Sequence, residues 1–432
     1  MSAITNARVS TRAAVLGFPA LPTRLAGYIS LGDAFCFLVP MLQFVRFEFV
    51  GEMCLSDFLI LAAMPIAVLR HPERLRQKPV PTVLTLGLFW LIGQVVTDLL
   101  RRSAPEDYLR GWSKILFLLA NFTVVWIVAC RSRRRFILYG IGLGLGAILA
   151  FYVRPFGDAL ISPWKFALAG PVTILVAIGV SVATRRSYLG IILPLTALAV
   201  VDAFEDDRSL AAITFMTAVF SIFHISTAGS QRRLGRLRVT LLFFTIVGTL
   251  WGFTQVYSHY AEQGVFGEYA QRKLALQKNG AGGLLLGGRS EILASSQAIL
   301  DSPLLGHGSW PRDPIYGAIL IQKRAELGYK EVDGNGQRPD DLIPAHSYVF
   351  GAWVEAGLAG ALFWLLLLGR TIHNFLTASG REPFLPLFAF GGFMLVWDIL
   401  FSPLGMPTRF ISPFFMAAMV LFPTLGASHQ EI

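Results

Sequence analysis

The sequence predicts an all-α, polytopic membrane protein with about twelve transmembrane helices and one long extracytoplasmic loop carrying short helices. Three observations predict it. Of 432 residues, 54% are hydrophobic and 15% charged, where a soluble domain carries about 25% charged residues. The apolar residues fall in runs of roughly 17–23, the helix length that crosses about 30 Å of hydrocarbon. The basic residues sit in short clusters between those runs, and the period-two alternation of a β-barrel is absent.

Taken in order, residues 1–26 are basic and lack an apolar core followed by a cleavage site, so they read as a cytoplasmic tail before a retained first helix. Nine helices are predicted within 27–257, at about 27–46, 54–69, 81–100, 111–130, 136–153, 164–183, 188–204, 209–228 and 239–257. Three more are predicted within 346–426, at about 346–369, 383–400 and 410–426, leaving 427–432 as a C-terminal tail. Arginine marks the N-terminal tail and every even-numbered connection: Arg70, Arg74 and Arg76; Arg131 and Arg133–Arg135; Arg185 and Arg186; Arg232, Arg233, Arg236 and Arg238; Arg370 and Arg381. The odd connections hold Glu48, Glu52, Glu106, Asp107, Asp158 and Glu205–Asp207. By the positive-inside rule both termini are cytoplasmic. The net charge of +10 is thereby a topology signal rather than a nucleic-acid footprint. Cys36, Cys54 and Cys130 lack metal-ligand spacing and read as small buried apolar residues.

The ninth connection, residues 258–345, then faces outward. It is far longer than the two to eight residues usual between bundle helices. Helices are expected at Ser290–Leu300, stopped by Asp301, Ser302 and Pro303, and at Ile315–Leu327, with a turn at 333–336.

Ionisable groups at the outer face are the candidates for function. Arg208, beside Glu205, Asp206 and Asp207, begins the eighth helix, where a guanidinium favours an anion; pairing with Asp206 or Asp207 is the structural alternative. Arg289 follows the glycine-rich stretch 280–288 and precedes Ser290, a candidate N-cap; a flexible loop is the alternative there. His346 opens the tenth helix, where the dipole favours the neutral imidazole of a general base over a mere cap. Glu355 is placed to bond a buried arginine, and glycines flank His307 in a turn. Asp33, Asp98 and Asp398 read as partnered structural acids, and glycines 140–146 as a helix-packing ridge.

These clusters occur in a familiar order: Arg289, then Asp301-Ser302-Pro303-Leu304-Leu305-Gly306-His307-Gly308, then Ala345-His346-Ser347-Tyr348, then Glu355, Gly357 and Gly360. From about Asp202 to Gly360 the chain resembles the bacterial O-antigen ligase and polymerase superfamily. Asp207-Arg208-Ser209 resembles that family's serine–arginine motif with Asp207 in the serine position, and Ser347 stands where asparagine is common. The resemblance implies an inner-membrane glycosyltransferase of the GT-C type. It would move a glycan from undecaprenyl diphosphate to a hydroxyl, on a growing glycan or on lipid A-core. By position it implies Arg208 and Arg289 as diphosphate ligands, His346 as the base, Glu355 and His307 as supporting residues, and no metal or other cofactor. Two other readings remain at this point: a metal-dependent GT-C enzyme using Glu205, Asp206 and Asp207, and a flippase or transporter of lipid-linked oligosaccharide.

Overall fold

The computed structural model describes residues 29–155, 157–183, 187–227, 231–278, 280–329, 341–378, 384–405 and 408–428. The basic N-terminal tail, Arg185 and Arg186, the turn at 333–336 and Arg381 lie outside the described residues. Among the described residues the protein is all-α apart from one hairpin and an isolated bridge between Arg312 and Leu342.

In the first half run α1 (Leu31–Met41), α2 (Leu55–Arg70), the short α3 (Pro72–Leu75), α4 (Val80–Arg101), α5 (Pro105–Val128), α6 (Arg133–Val153), the short α7 (Gly157–Ile161), α8 (Ala169–Ala183), α9 (Tyr188–Phe204), α10 (Arg208–Thr227) and α11 (Gln231–Glu262). Then come α12 (Gly267–Lys278), α13 (Gly283–Gly288), α14 (Glu291–Asp301) and α15 (Pro314–Glu326). The chain ends with α16 (Tyr348–Ala356), α17 (Leu358–Thr377), α18 (Leu385–Phe401) and α19 (Thr408–Ser428). Local chemistry starts several of these. Ser30 and Asp33 form a capping box on α1, and Asp313 caps α15 with Pro314 at its first position.

Among the described residues seven helical segments are long and apolar enough to cross a membrane: α4, α5, α6, α8 with the turn before it, α10, α11 and α17. Helices α1, α9 and α18 and the Thr408–Val420 part of α19 are shorter apolar stretches. Burial sorts them. Of the seven, α5 is the most enclosed, packed by α2, α4 and α19. At the other extreme α11 is almost bare, exposing Phe243, Phe244, Trp251 and Val256. Water would penalise such a face; hydrocarbon does not. The three cysteines are free and buried, as the sequence predicts.

Four features depart from the expectations. Residues 346–369 form two helices broken at Gly357 rather than one. A β-hairpin, β1 (Arg46–Phe49) with β2 (Gly51–Cys54), stands between α1 and α2 and turns through Gly51 at φ +107. Helix α12 was not anticipated. The glycine-rich stretch is a short helix, α13, because Gly280, Gly282 and Gly287 let its backbone lie against the Tyr329 ring, whose hydroxyl donates to Gly283 O at 2.9 Å.

Candidate functional site

Construction begins where the turn 302–309 is bolted to the end of α4. Asp98 accepts from the Ser309 backbone N–H at 2.6 Å, Ser309 Oγ at 2.8 Å, Ser103 Oγ at 2.8 Å and Trp112 Nε1 at 2.8 Å. Arg101 donates to Gly306 O at 3.0 Å and Ser302 Oγ at 2.8 Å. Asp98 is thus the partnered structural acid the sequence suggests. The same turn caps α16: His307 N–H donates to Val354 O at 2.7 Å and Gly308 N–H to Glu355 O at 3.0 Å. Those carbonyls end a helix and need outside donors. Two glycines make the crossing possible. A Cβ on Gly357 would lie 2.1 Å from Leu304 O, and one on Gly306 2.6 Å from Gly357 N. Gly357 also sits at φ +61, ψ −149, a conformation essentially confined to glycine. The break between α16 and α17 follows from this backbone-on-backbone contact.

The other end of α16 carries His346. Ser347 is the N-cap, its Oγ accepting from Phe350 N–H at 3.2 Å while donating to Ile399 O at 2.7 Å. That pair of bonds pins the start of α16 to the end of α18. His346, one residue before the cap, is half-buried and lines a small cavity with Arg289, Ile292, Ser295, Phe350 and Phe401. The space is about 10 Å³, room for one water. Arg289 comes from the C-cap of α13, donates to Gly288 O at 3.0 Å and lies over the Trp397 ring at 5.7 Å. Its Nε is buried without a hydrogen-bond partner among the described residues. Burial holds its guanidinium below the ordinary arginine pKa; the Glu291 and Asp207 charges oppose that, and the Arg208 charge adds to it.

Arg208 begins α10, as the sequence predicts. It pairs with neither neighbouring acid: its Nη2 donates to Gln277 Oε1 on α12 at 2.7 Å, and its guanidinium lies over Tyr257 at 5.6 Å. The acids are otherwise engaged. Asp206 holds Lys273 Nζ at 2.6 Å and Lys165 Nζ at 3.0 Å. Burial pushes the Asp206 carboxyl upward, but the Lys273 and Lys165 bonds and charges outweigh it, so it sits below its usual range. Burial in turn lowers Lys273 to about 8 against the pull of Asp206. Asp207, raised by burial, accepts from Leu210 N–H at 3.2 Å and Ser209 Oγ at 3.0 Å. Among the described residues no group of three His, Cys, Asp or Glu side chains is placed to hold a metal.

The two supporting residues stand elsewhere. Among the described residues Glu355 meets no arginine; it bonds Lys114 of α5 at 2.5 Å from the last turn of α16, which packs with α4. His307 Nε2 is 2.8 Å from Ala298 O and its ring meets Tyr316 edge-on, tying α14 to α15. Neither lines the Arg289–His346 cavity. Likewise Ser290, although at the N-cap position, caps nothing, its hydroxyl accepting from Arg324 at 2.6 Å. Sequence reasoning also missed Lys114, Lys165 and Lys273. The first two fall inside predicted apolar helices, which is itself the signal that marks a charge as functional.

Chemically, the arrangement sets the Arg289 guanidinium and the His346 imidazole around one small cavity, with the Arg208 charge acting on Arg289. Such a site can hold an anion and take up a proton beside it. No protein-family profile, no curated protein and no solved structure matches the chain.

Proposed function

We propose that this protein is a glycosyltransferase of the bacterial inner membrane, GT-C-like, with both termini cytoplasmic and the predicted twelve helices in the bilayer. On this reading it moves a glycan from undecaprenyl diphosphate to a hydroxyl at the periplasmic face, as an O-antigen or exopolysaccharide polymerase or as an O-antigen ligase. The observation that carries the reading is that Arg289 and His346, distant in sequence, line one cavity while the Arg208 charge acts on Arg289.

The chemistry follows from those three side chains. The acceptor oxygen attacks the anomeric carbon as the bond from that carbon to the diphosphate oxygen breaks. The bonding pair leaves with the diphosphate, where Arg208 and Arg289 stabilise the growing negative charge. The acceptor proton passes to a ring nitrogen of His346. One displacement inverts the anomeric centre. A cavity with room for one water does not admit a diphosphate, so on this reading donor binding widens the space between Arg289 and His346.

The test separates binding from chemistry. Purified protein in liposomes is given lipid-linked glycan and an acceptor, and new glycosidic bonds are counted. His346→Ala is expected to lose transfer at least 100-fold, the lower scale of general-base catalysis, while binding the lipid diphosphate as wild type does. Transfer at near wild-type rate would remove His346 from the mechanism.

A further inference from the structure

A second and larger cavity lies beside the start of α16, of about 200 Å³. Ser347 lines both cavities, so the residue after His346 forms part of the partition between them. Its walls are of two kinds. Trp90, Trp310 and Tyr348 present aromatic surface. Lys114 and Glu355 present an ion pair, 16% and 15% exposed, with the Lys114 ammonium 4.8 Å from the centre of the Trp310 ring.

We propose that this cavity binds one neutral pyranose ring of the acceptor glycan. The assignment rests on the transferase reading for the word acceptor, and on the cavity alone for the sugar. A void of roughly 150 Å³ already admits a six-membered carbon ring, so 200 Å³ holds a pyranose. A pyranose carries C–H faces that lie on aromatic rings and a rim of hydroxyls that both donate and accept. Lys114 and Glu355 spend one donor and one acceptor on each other and keep further donors and lone pairs. An alkyl chain would leave those groups unanswered. A free anion is disfavoured because Glu355 already neutralises Lys114. The ring so placed is separated from the imidazole by the Ala345–Ser347 segment.

Gly351 makes the test clean. It lines the cavity, and an added Cβ would meet no atom within 4 Å, so a larger side chain grows into the void without moving the protein. The full chain in nanodiscs is titrated with glucose, galactose and N-acetylglucosamine, one at a time, by saturation-transfer NMR. At least one sugar is expected to bind, with affinity at least tenfold weaker in Gly351→Leu and Trp310→Ala and unchanged in Gly351→Ala and His346→Ala. No binding by any of the three, or binding undiminished in a folded Gly351→Leu protein, overturns the proposal. Transfer assays separate it from the function. Normal transfer with an unchanged acceptor KM in Gly351→Leu rejects the cavity alone, whereas Gly351-dependent sugar binding in a protein that forms no glycosidic bond retains the cavity and rejects the transferase.

Discussion

Replacing Gly357 with alanine is the sharpest test of how the site is built. The new Cβ would stand 2.1 Å from Leu304 O, 2.4 Å from Leu304 C and 2.6 Å from Leu305 C, all backbone atoms that cannot rotate away. Strain from holding alanine at φ +61, ψ −149 costs about 1–3 kcal/mol on its own. Relief requires the turn 302–309 to withdraw, loosening the bonds from His307, Gly308 and Leu358 to their carbonyl partners, each worth about 1 kcal/mol. The total, roughly 4–6 kcal/mol if all three bonds are lost, is a large share of the 5–15 kcal/mol by which proteins are usually stable. Thermal unfolding in detergent, followed by size-exclusion monodispersity, reads it directly. Gly351→Ala is the matched control: it lies mid-helix in open space and should be neutral or gain up to about 1 kcal/mol. A Gly357→Ala protein that melts with wild type, or a Gly351→Ala protein that is equally damaged, refutes the account of the helix break.

Three further outcomes are expected. Arg289→Gln should weaken binding of undecaprenyl diphosphate about 10- to 100-fold in a lipid-binding titration, matching the loss of about 1.5–3 kcal/mol for a charged hydrogen bond, with partial recovery in Arg289→Lys. Transfer should survive EDTA undiminished; loss restored by Mg²⁺ or Mn²⁺ would favour the metal-dependent reading through the 205–207 acids. Lys273, lowered by burial to about 8, binds fewer protons folded than unfolded between about pH 8 and its ordinary value near 10.5, so stability should rise with pH across that window. Lys273→Met should flatten the rise, and an equal slope in that variant would assign it to another group.

Local chemistry made part of this legible from the sequence. Asp313 followed by Pro314 starts α15, and Pro303 lies just past α14, so these two of the helices in the 258–345 segment could be bounded in advance. The turn through Gly306 and Gly308 was legible for the same reason, since both take positive φ. Features decided by tertiary contact were not. Gly357 lies inside the single helix predicted at 346–369, and its collision with Leu304 reveals the break. Glycines 280–288 read as a loop, anion-cradling or merely flexible, because their partner, Tyr329, is distant in sequence. The β-hairpin did carry a signal, the alternation Arg46-Phe47-Glu48-Phe49 before Gly51, hidden by the apolar run that precedes it. At the site, Arg289 and His346 were legible as residue types beside helix starts, and sequence also suggested that Arg208 would stand on its own acids. It does not, because Lys165 and Lys273 reach Asp206 from elements far along the chain.

The central claim is that Arg208, Arg289 and His346 serve one lipid head group at one face of the membrane. Cryo-electron microscopy of the full chain in nanodiscs with undecaprenyl diphosphate tests it most directly. The expected map places the diphosphate within hydrogen-bond reach of both guanidinium groups, with the imidazole one sugar ring away. A diphosphate bound elsewhere, or His346 opening to the opposite face from Arg208, contradicts it.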